Sequence, residues 1–186
     1  MSWSLPPRHL ESPSQLGFDS GLFPTWRPYQ AQTVARILGT PKRLIILAAP
    51  TGSGKTLIAL AAARVAAENG LTTTILTHRI QLQAQYTEYQ PAIASATGRQ
   101  NHPCVRDDAA PGTTAANAIC TEGLDCELAT AYLPSDIPCP YYRQREVANA
   151  SKVGVLNYAY WLRQIPLNRF RASLLICDEG HQLDDE

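Results

Sequence analysis

The segment "APTGSGKT", residues 49 to 56, constrains the fold of this chain more than any other stretch. It lies between an apolar run, residues 43 to 49, and a long helix-forming stretch that begins at Lys55. A glycine-rich turn between a buried strand and a helix exposes successive main-chain N–H groups, which can surround the phosphates of a nucleotide. The segment therefore predicts an α/β fold with a phosphate-binding loop.

The predicted nucleotide site uses the whole of this loop. Lys55 is expected to reach the terminal phosphates, and the Thr56 hydroxyl is expected to ligate a magnesium ion. Gly52 and Gly54 keep side chains away from the main-chain N–H groups. The loop residues predicted to bind the nucleoside triphosphate are Ala49, Pro50, Thr51, Gly52, Ser53, Gly54, Lys55 and Thr56.

Strand and helix patterns alternate along the chain, which indicates a parallel sheet flanked by helices. Apolar or β-branched runs predict the strands, and helical spacing of apolar residues predicts the helices. The predicted strands are residues 43–49, 72–77, 153–156 and 172–179. The predicted helices are residues 27–38, 55–69, 79–89, 141–152 and 157–165.

Composition limits the other possibilities. The chain has 186 residues, with 16 basic and 16 acidic side chains, so bulk charge gives no support for binding nucleic acid or membranes. No apolar run has the length of a membrane span, and the first residues lack the pattern of a secretory signal. We therefore expect a cytoplasmic protein, or a nuclear one in a eukaryote, whose cysteines bind metal rather than form disulfides.

A second candidate site lies in "LLICDEGH", residues 174 to 181. An apolar strand that ends in two acids places Asp178 at the carboxyl edge of the sheet, where ligands of such sheets bind. Asp178 is predicted to hold magnesium through water, and Glu179 to orient and deprotonate the attacking water. The segment resembles motif II of superfamily 2 helicases, with Gly180 where alanine is more common. That resemblance implies that His181 couples the ATP site to the rest of the motor.

The segment "WRPYQAQ", residues 26 to 32, resembles the Q-motif region of the same helicases. The Gln30 side chain can present both a donor and an acceptor to the edge of adenine, which would favour ATP over other nucleotides. Arg27 is predicted to support the same site. Both residues are therefore predicted to bind ATP.

The segment "ILTHRIQLQAQY", residues 75 to 86, corresponds to motif Ia of these helicases. Its first polar residues follow the carboxyl end of a predicted strand, where hydroxyl and cationic groups suit contacts to sugar and phosphate. Thr77, His78 and Arg79 are therefore predicted to contact DNA. The alternative is that Thr77 begins a helix and Arg79 lies on an ordinary surface.

Four cysteines lie in one turn-rich segment: Cys104, Cys120, Cys126 and Cys139. They are separated by fifteen, five and twelve residues and contain none of the close Cys-x-x-Cys pairs typical of structural zinc. Four spread thiolates suit a [4Fe–4S] cluster, and zinc remains the alternative. A metal centre would stabilise this loop-rich insert of about forty residues, which is not expected to hold its shape by apolar burial alone.

The order of these motifs is similar to that of the iron–sulfur DNA helicases of superfamily 2 (the XPD/DinG group). In that group a four-cysteine domain lies between motifs Ia and II, and its last cysteine is followed by Pro-Tyr, a helix and an Asn-Tyr stretch. Residues 139 to 162, "CPYYRQREVANASKVGVLNYAYWL", follow this order. The resemblance implies a RecA-like P-loop lobe with an iron–sulfur insert that uses a [4Fe–4S] cluster, ATP and Mg²⁺. It also implies unwinding from five-prime to three-prime on single-stranded or forked DNA.

The resemblance divides the chain into an irregular start, residues 1–24, and a RecA-like lobe in two parts, 25–98 and 143–186. The insert, residues 99–142, lies between the two parts. A superfamily 2 motor also needs a second RecA-like lobe, which we expect a further C-terminal part or another chain to supply. The alternatives are a non-motor fragment that binds ATP and single-stranded DNA, and a zinc-stabilised ATPase that does not unwind DNA.

Charge within the insert argues against a strong grip on DNA. From Cys104 to Cys139 one basic residue, Arg106, stands against six acidic residues. Phosphate attraction is therefore expected from the flanking residues, above all Arg143 and Arg145.

Overall fold

The computed structural model of the protein describes Leu5 and residues 9–122, 126–167 and 169–180. For residues 121 and 122 it describes the main chain alone. The helices are α1 (Gln30–Gly39), α2 (Lys55–Glu68), α3 (Ile80–Tyr89), α4 (Pro140–Ala150) and α5 (Tyr158–Gln164). The strands are β1 (Thr73–Thr77), β2 (Ala94–Ala96), β3 (Val153–Asn157) and β4 (Leu174–Cys177). Short 3-10 turns connect several of them.

The four strands form one parallel sheet in the order β2-β3-β1-β4. Successive side chains of a strand point to opposite faces, so each strand contributes to two cores. Ile75 and Val155 pack on one face with α1 and α2, while Leu76 and Leu156 pack on the other. The predicted α/β architecture, a parallel sheet flanked by helices, is confirmed.

Helix α2 is buried over most of its surface because alanine and leucine fill it almost throughout. This composition favours the helix and also allows close packing against the sheet. The left-handed residue Gly70, with φ of 78°, follows its carboxyl end. The helix thereby carries the phosphate loop at its amino end and fixes that loop relative to the sheet.

The predicted strand at residues 43–49 is wrong. The segment has no regular structure, and Leu44 and Ile46 are 78% and 85% exposed. An apolar, β-branched sequence favours a strand but does not supply a neighbour to pair with. Among the described residues, β4 pairs only with β1, and no strand joins β4 to this segment.

Strand β4 also differs from its predicted burial. It forms where the sequence indicates, but Leu175 is 41% exposed and Cys177 is exposed as well. Both side chains lie on the face opposite Ile176, which packs in the core beside α2. The strand is a half-covered edge rather than a buried central strand.

Within the described part of the chain, no helix is long and apolar enough to cross a membrane.

The cysteine-rich segment packs on the sheet rather than standing apart from it. Ala115, Ile137 and Cys139 are buried in the same cluster as Leu76 and Leu156. The segment is built from 3-10 turns and loops, and an isolated bridge joins Pro103 to Thr114. Apolar contacts with the lobe therefore contribute to holding it in place.

Candidate functional site

The phosphate loop closes directly onto the amino end of α2. Gly52 and Gly54 have φ of 78° and 80°, the left-handed conformation that glycine adopts without steric cost. Lys55 and Thr56 are the first residues of the helix, so main-chain N–H groups there have no partner within the helix. The loop thus forms the positively polarised end of a helix, which suits the phosphates of a nucleotide.

The side chains of Arg27 and Gln30 donate hydrogen bonds to main-chain oxygens of this loop. The Gln30 Nε2 atom donates to the main-chain oxygens of Ser53 and Gly54, at 3.2 and 3.3 Å. The Arg27 guanidinium donates to the Gly52 oxygen, and its main-chain N–H donates to Gln30 Oε1 at 2.9 Å. In this structure the Gln30 amide contacts the phosphate loop, and its predicted contact with adenine stays a prediction.

Lys55 joins the loop to the end of β4. Its Nζ atom donates to the Ala49 oxygen at 3.3 Å and lies 3.8 Å from Glu179 Oε1. Glu179 has φ of 54°, a left-handed conformation that is strained for a residue with a side chain and is typical of functional sites. The two motifs, 124 positions apart in the chain, therefore meet at one point.

Two tyrosines donate hydrogen bonds to Asp178. The Tyr86 hydroxyl donates to Asp178 Oδ2 at 2.9 Å, and the Tyr158 hydroxyl donates to the Asp178 main-chain oxygen at 2.8 Å. Burial, together with the charge of the Asp178 carboxylate and their hydrogen bond, holds the pKa of Tyr86 well above its ordinary value. The Thr56 side chain acts in the opposite direction and lowers the pKa of Tyr86, so both predicted magnesium residues lie near this phenol.

The residue types at this point fit a magnesium ion. Thr56 supplies a hydroxyl and Asp178 a carboxylate, and magnesium prefers oxygen ligands. A cleft of about 610 Å³ is lined by Arg79, Gln81, Leu82 and Glu179. Glu179 therefore faces open space that a substrate and a water molecule can enter.

The predicted DNA residues are placed differently from one another. Thr77 is fully buried, and its hydroxyl donates to the Arg79 oxygen at 3.2 Å, so it shapes the turn after β1. Arg79 is exposed at the cleft, and His78 is partly buried. Arg143 is exposed on α4. The Arg145 side chain is only 13% exposed and pairs with Glu146 at 2.6 Å.

The four cysteines do not form a preassembled metal centre. Among the described residues, no three metal-ligating side chains come together. The Cys120 sulfur instead accepts a hydrogen bond from Arg99 at 3.4 Å, and Cys139 is buried in the apolar cluster. As placed here, the residues do not fit an iron–sulfur cluster or a zinc ion. His181, the last predicted catalytic residue, lies outside the described residues.

Arg99 anchors the cysteine segment to α4. Its guanidinium stacks over Tyr141 at 4.6 Å and donates to the Tyr142 hydroxyl at 3.1 Å. The Arg145 guanidinium stacks over the Tyr142 ring, with its central carbon 4.6 Å from the ring centroid. Both tyrosine rings therefore stack against cationic side chains of the protein itself.

Comparison with protein families supplies the family of this chain. The family model described as "Type III restriction enzyme, res subunit" matches residues 23–186. The chain belongs to this family. Its matched region is a superfamily 2 helicase domain, which agrees with the parallel sheet and the phosphate loop of this structure. No curated protein matches the sequence significantly.

The family match covers both the phosphate loop and β4, and it agrees with the superfamily deduced from the sequence. The match does not show that the chain belongs to the iron–sulfur group of that superfamily. No local pattern in the sequence predicts the two tyrosines at Asp178. Their contacts join residues 92 and 20 positions apart, and only the fold brings them together.

Proposed function

We propose that this chain is the ATP-binding front part of an ATP-dependent DNA helicase. Together with a second RecA-like lobe, it would couple ATP hydrolysis to movement along single-stranded or forked DNA. The observation that carries the proposal is the 3.8 Å approach of Lys55 Nζ to Glu179 Oε1. This contact brings a phosphate-binding loop and a pair of carboxylates to one edge of a parallel sheet, where such sheets bind ligands.

Each residue at this edge has a proposed part in hydrolysis. Lys55 would neutralise the terminal phosphates, while Thr56 and Asp178 would hold Mg²⁺. The ion would supply further positive charge at those phosphates. Glu179, which lines the cleft, would orient a water molecule and accept its proton. The sequence adds His181 as the proposed link from this site to the rest of the motor.

DNA contact is proposed for Arg79 at the same cleft and for Arg143 on α4. Arg79 and Arg143 are exposed and can reach phosphates without breaking an internal pair. Arg145 would have to leave Glu146, so its contribution is expected to be smaller. Thr77 would act indirectly, by holding the turn that presents His78 and Arg79.

The [4Fe–4S] cluster and the five-prime to three-prime direction remain proposals from the sequence resemblance. Assembling a cluster would require Cys120 to leave Arg99 and Cys139 to leave its apolar surroundings. Anaerobic purification followed by counts of iron, sulfide and zinc decides between an iron–sulfur cluster, a zinc site and a metal-free segment. No step of hydrolysis depends on that outcome.

Nucleotide binding by variants of α2 tests the proposal. We expect the chain to bind a fluorescent ATP analogue in the presence of Mg²⁺. Loss of one charged hydrogen-bonding group should weaken this binding by about 10- to 100-fold in Lys55→Ala. Arg64→Ala removes a cation from the same helix that pairs with Glu68, and it should leave the affinity unchanged. Equal affinity in wild type and Lys55→Ala would contradict the proposal.

A further inference from the structure

Tyr86 is the last residue of the segment that corresponds to motif Ia, and it lies in the candidate site although the sequence predicts no role for it. It belongs to α3, is 1% exposed, and donates its hydroxyl proton to Asp178 Oδ2 at 2.9 Å. The contact joins a helix near the middle of the chain to the carboxyl end of β4. A buried hydroxyl with a charged partner makes a stronger hydrogen bond than a neutral pair does.

The polar groups of Asp178 are held from three directions. Its main-chain N–H donates to the Leu76 oxygen at 2.9 Å, and its main-chain oxygen accepts from Tyr158 at 2.8 Å. Tyr86 holds the carboxylate itself. No other hydrogen bond or ion pair links that carboxylate to the described part of the chain. Tyr86 therefore restricts the rotation of the carboxylate through Oδ2, and Asp178 would be the residue that holds a magnesium ion here.

Tyr86 also lies near the other predicted magnesium residue, because the Thr56 side chain lowers the pKa of the phenol while Asp178 raises it. A partner that orients a metal ligand typically changes metal affinity by about 10- to 100-fold when it is removed. Through its hydrogen bond, the phenol is thus placed to orient the Asp178 carboxylate.

We propose that Tyr86 is a positioning residue for the magnesium ion of this site. The inference rests on the proposed function and extends it to a residue for which the sequence motifs predict no role. Tyr86 orients the Asp178 carboxylate before the ion binds, so binding requires less rearrangement of the protein. Phenylalanine at this position would keep the ring in the core but would leave the carboxylate without its donor.

A purely structural role for Tyr86 makes a different prediction. A buried tyrosine that only fills the core would change the stability of the protein and not its need for magnesium. The concentration of Mg²⁺ required for nucleotide binding separates the two roles. Binding of the same nucleotide in EDTA gives the reference, because it does not depend on the orientation of a metal ligand.

The test is a Mg²⁺ titration of fluorescent ATP-analogue binding by the full chain and its variants. Tyr86→Phe should raise the Mg²⁺ midpoint by about tenfold or more, while binding in EDTA stays unchanged. Tyr89→Phe removes a hydroxyl from the same helix whose partner is Gln85, at 2.9 Å, and should leave the midpoint unchanged. Thermal unfolding establishes that each variant is folded.

Tyr158→Phe is the second variant and covers the case in which Tyr86→Phe does not fold. It removes the hydroxyl that holds the Asp178 main-chain oxygen and should raise the Mg²⁺ midpoint by about threefold, as loss of one neutral hydrogen bond predicts. A midpoint within about twofold of wild type in folded Tyr86→Phe, or in Tyr158→Phe where the former does not fold, overturns the inference. Failure of wild type to bind the nucleotide at any Mg²⁺ concentration would instead overturn the proposed function.

Discussion

At the scale of single residues, Gln30 shows how a motif and its structural context can assign different tasks to one side chain. The sequence predicts that its amide contacts adenine, whereas in the structure the same amide donates to two oxygens of the phosphate loop. Gly54 is part of the same arrangement. A Cβ atom at its position would lie 2.3 Å from Gln30 Nε2, and its φ of 80° disfavours any side chain. The loop and Gln30 therefore depend on each other for their shape.

Gln30→Glu tests this dependence. A carboxylate has no proton to donate, so it would face two carbonyl oxygens in a site where Gln30 is 3% exposed. The free energy of unfolding should fall by about 1–3 kcal/mol, measured by chemical denaturation. Binding of ATP and GTP analogues should weaken by similar factors, because the loop itself is disturbed.

Gln32→Glu is the matched control, since it makes the same change at an exposed position of α1. Its effect on unfolding should stay within about 0.5 kcal/mol. A Gln30→Glu protein that binds ATP more weakly but retains GTP binding would show that Gln30 contacts the base. That result would contradict the role in holding the loop.

At the scale of elements, local patterns predicted the helices better than the strands. Helices α1, α2 and α3 formed where apolar spacing placed them, because a helix satisfies its own main-chain hydrogen bonds. Strand β2 was missed because Ala94–Ala96 is only three residues long and contains no β-branched or large apolar residue; it pairs with β3. The strand predicted at residues 43–49 failed for the opposite reason, since an apolar run without a neighbour has no ladder to join.

The candidate site followed the same rule. The phosphate loop and Asp178 could be predicted because each is a short local motif. The hydrogen bond from Tyr86 to Asp178 and the stacking of Arg99 on Tyr141 could not, since each joins elements that only the fold brings together. Periodicity reports which face of an element is apolar, but it does not report which polar atoms meet across the core.

The link between the lobe and the cysteine segment is expected to be sensitive to pH through His102. Its ring lies edge-on to Tyr141 and bonds to Thr97 Oγ1 at 2.9 Å, and its main-chain oxygen accepts from Ala115. Burial is the main reason that the pKa of His102 is lower than its ordinary value of 6.5, although hydrogen bonds act in the opposite direction. The folded protein therefore binds a proton on this residue less readily than the unfolded chain does.

The sign of the effect follows from that difference. The contribution of neutral His102 to stability is fully present above the unfolded pKa of about 6.5, and it is lost as the pH falls through the lower pKa of the folded state. When the pH is lowered from about 7.5 to about 5.5, the free energy of unfolding should therefore fall less in His102→Gln than in wild type. His9→Gln, at an exposed side chain, is the control. An identical loss in wild type and His102→Gln would contradict the prediction.

At the scale of the whole molecule, the described structure leaves an apolar surface uncovered. Leu44 and Ile46 are exposed beside the phosphate loop, and Leu175 is exposed on the edge strand β4. The chain also has a net charge of zero, so no overall repulsion keeps copies apart. An exposed apolar run and an unpaired strand edge both favour self-association. The isolated chain is therefore expected to associate at high concentration.

Lysine substitutions in the apolar segment test this expectation, and the segment contains its own control. Exposure alternates along it: Leu44 and Ile46 are 78% and 85% exposed, while Ile45 and Leu47 are 39% and 40% exposed. The double variant Leu44→Lys, Ile46→Lys should reduce self-association, measured by light scattering, and change the free energy of unfolding by less than about 1 kcal/mol. The double variant Ile45→Lys, Leu47→Lys places charge on the more covered side and should cost several times as much stability, because a partly buried cation loses solvation. Equal and large losses of stability in both variants would contradict the exposure of Leu44 and Ile46. They would mean that both faces of the segment are buried in solution, as the sequence predicts.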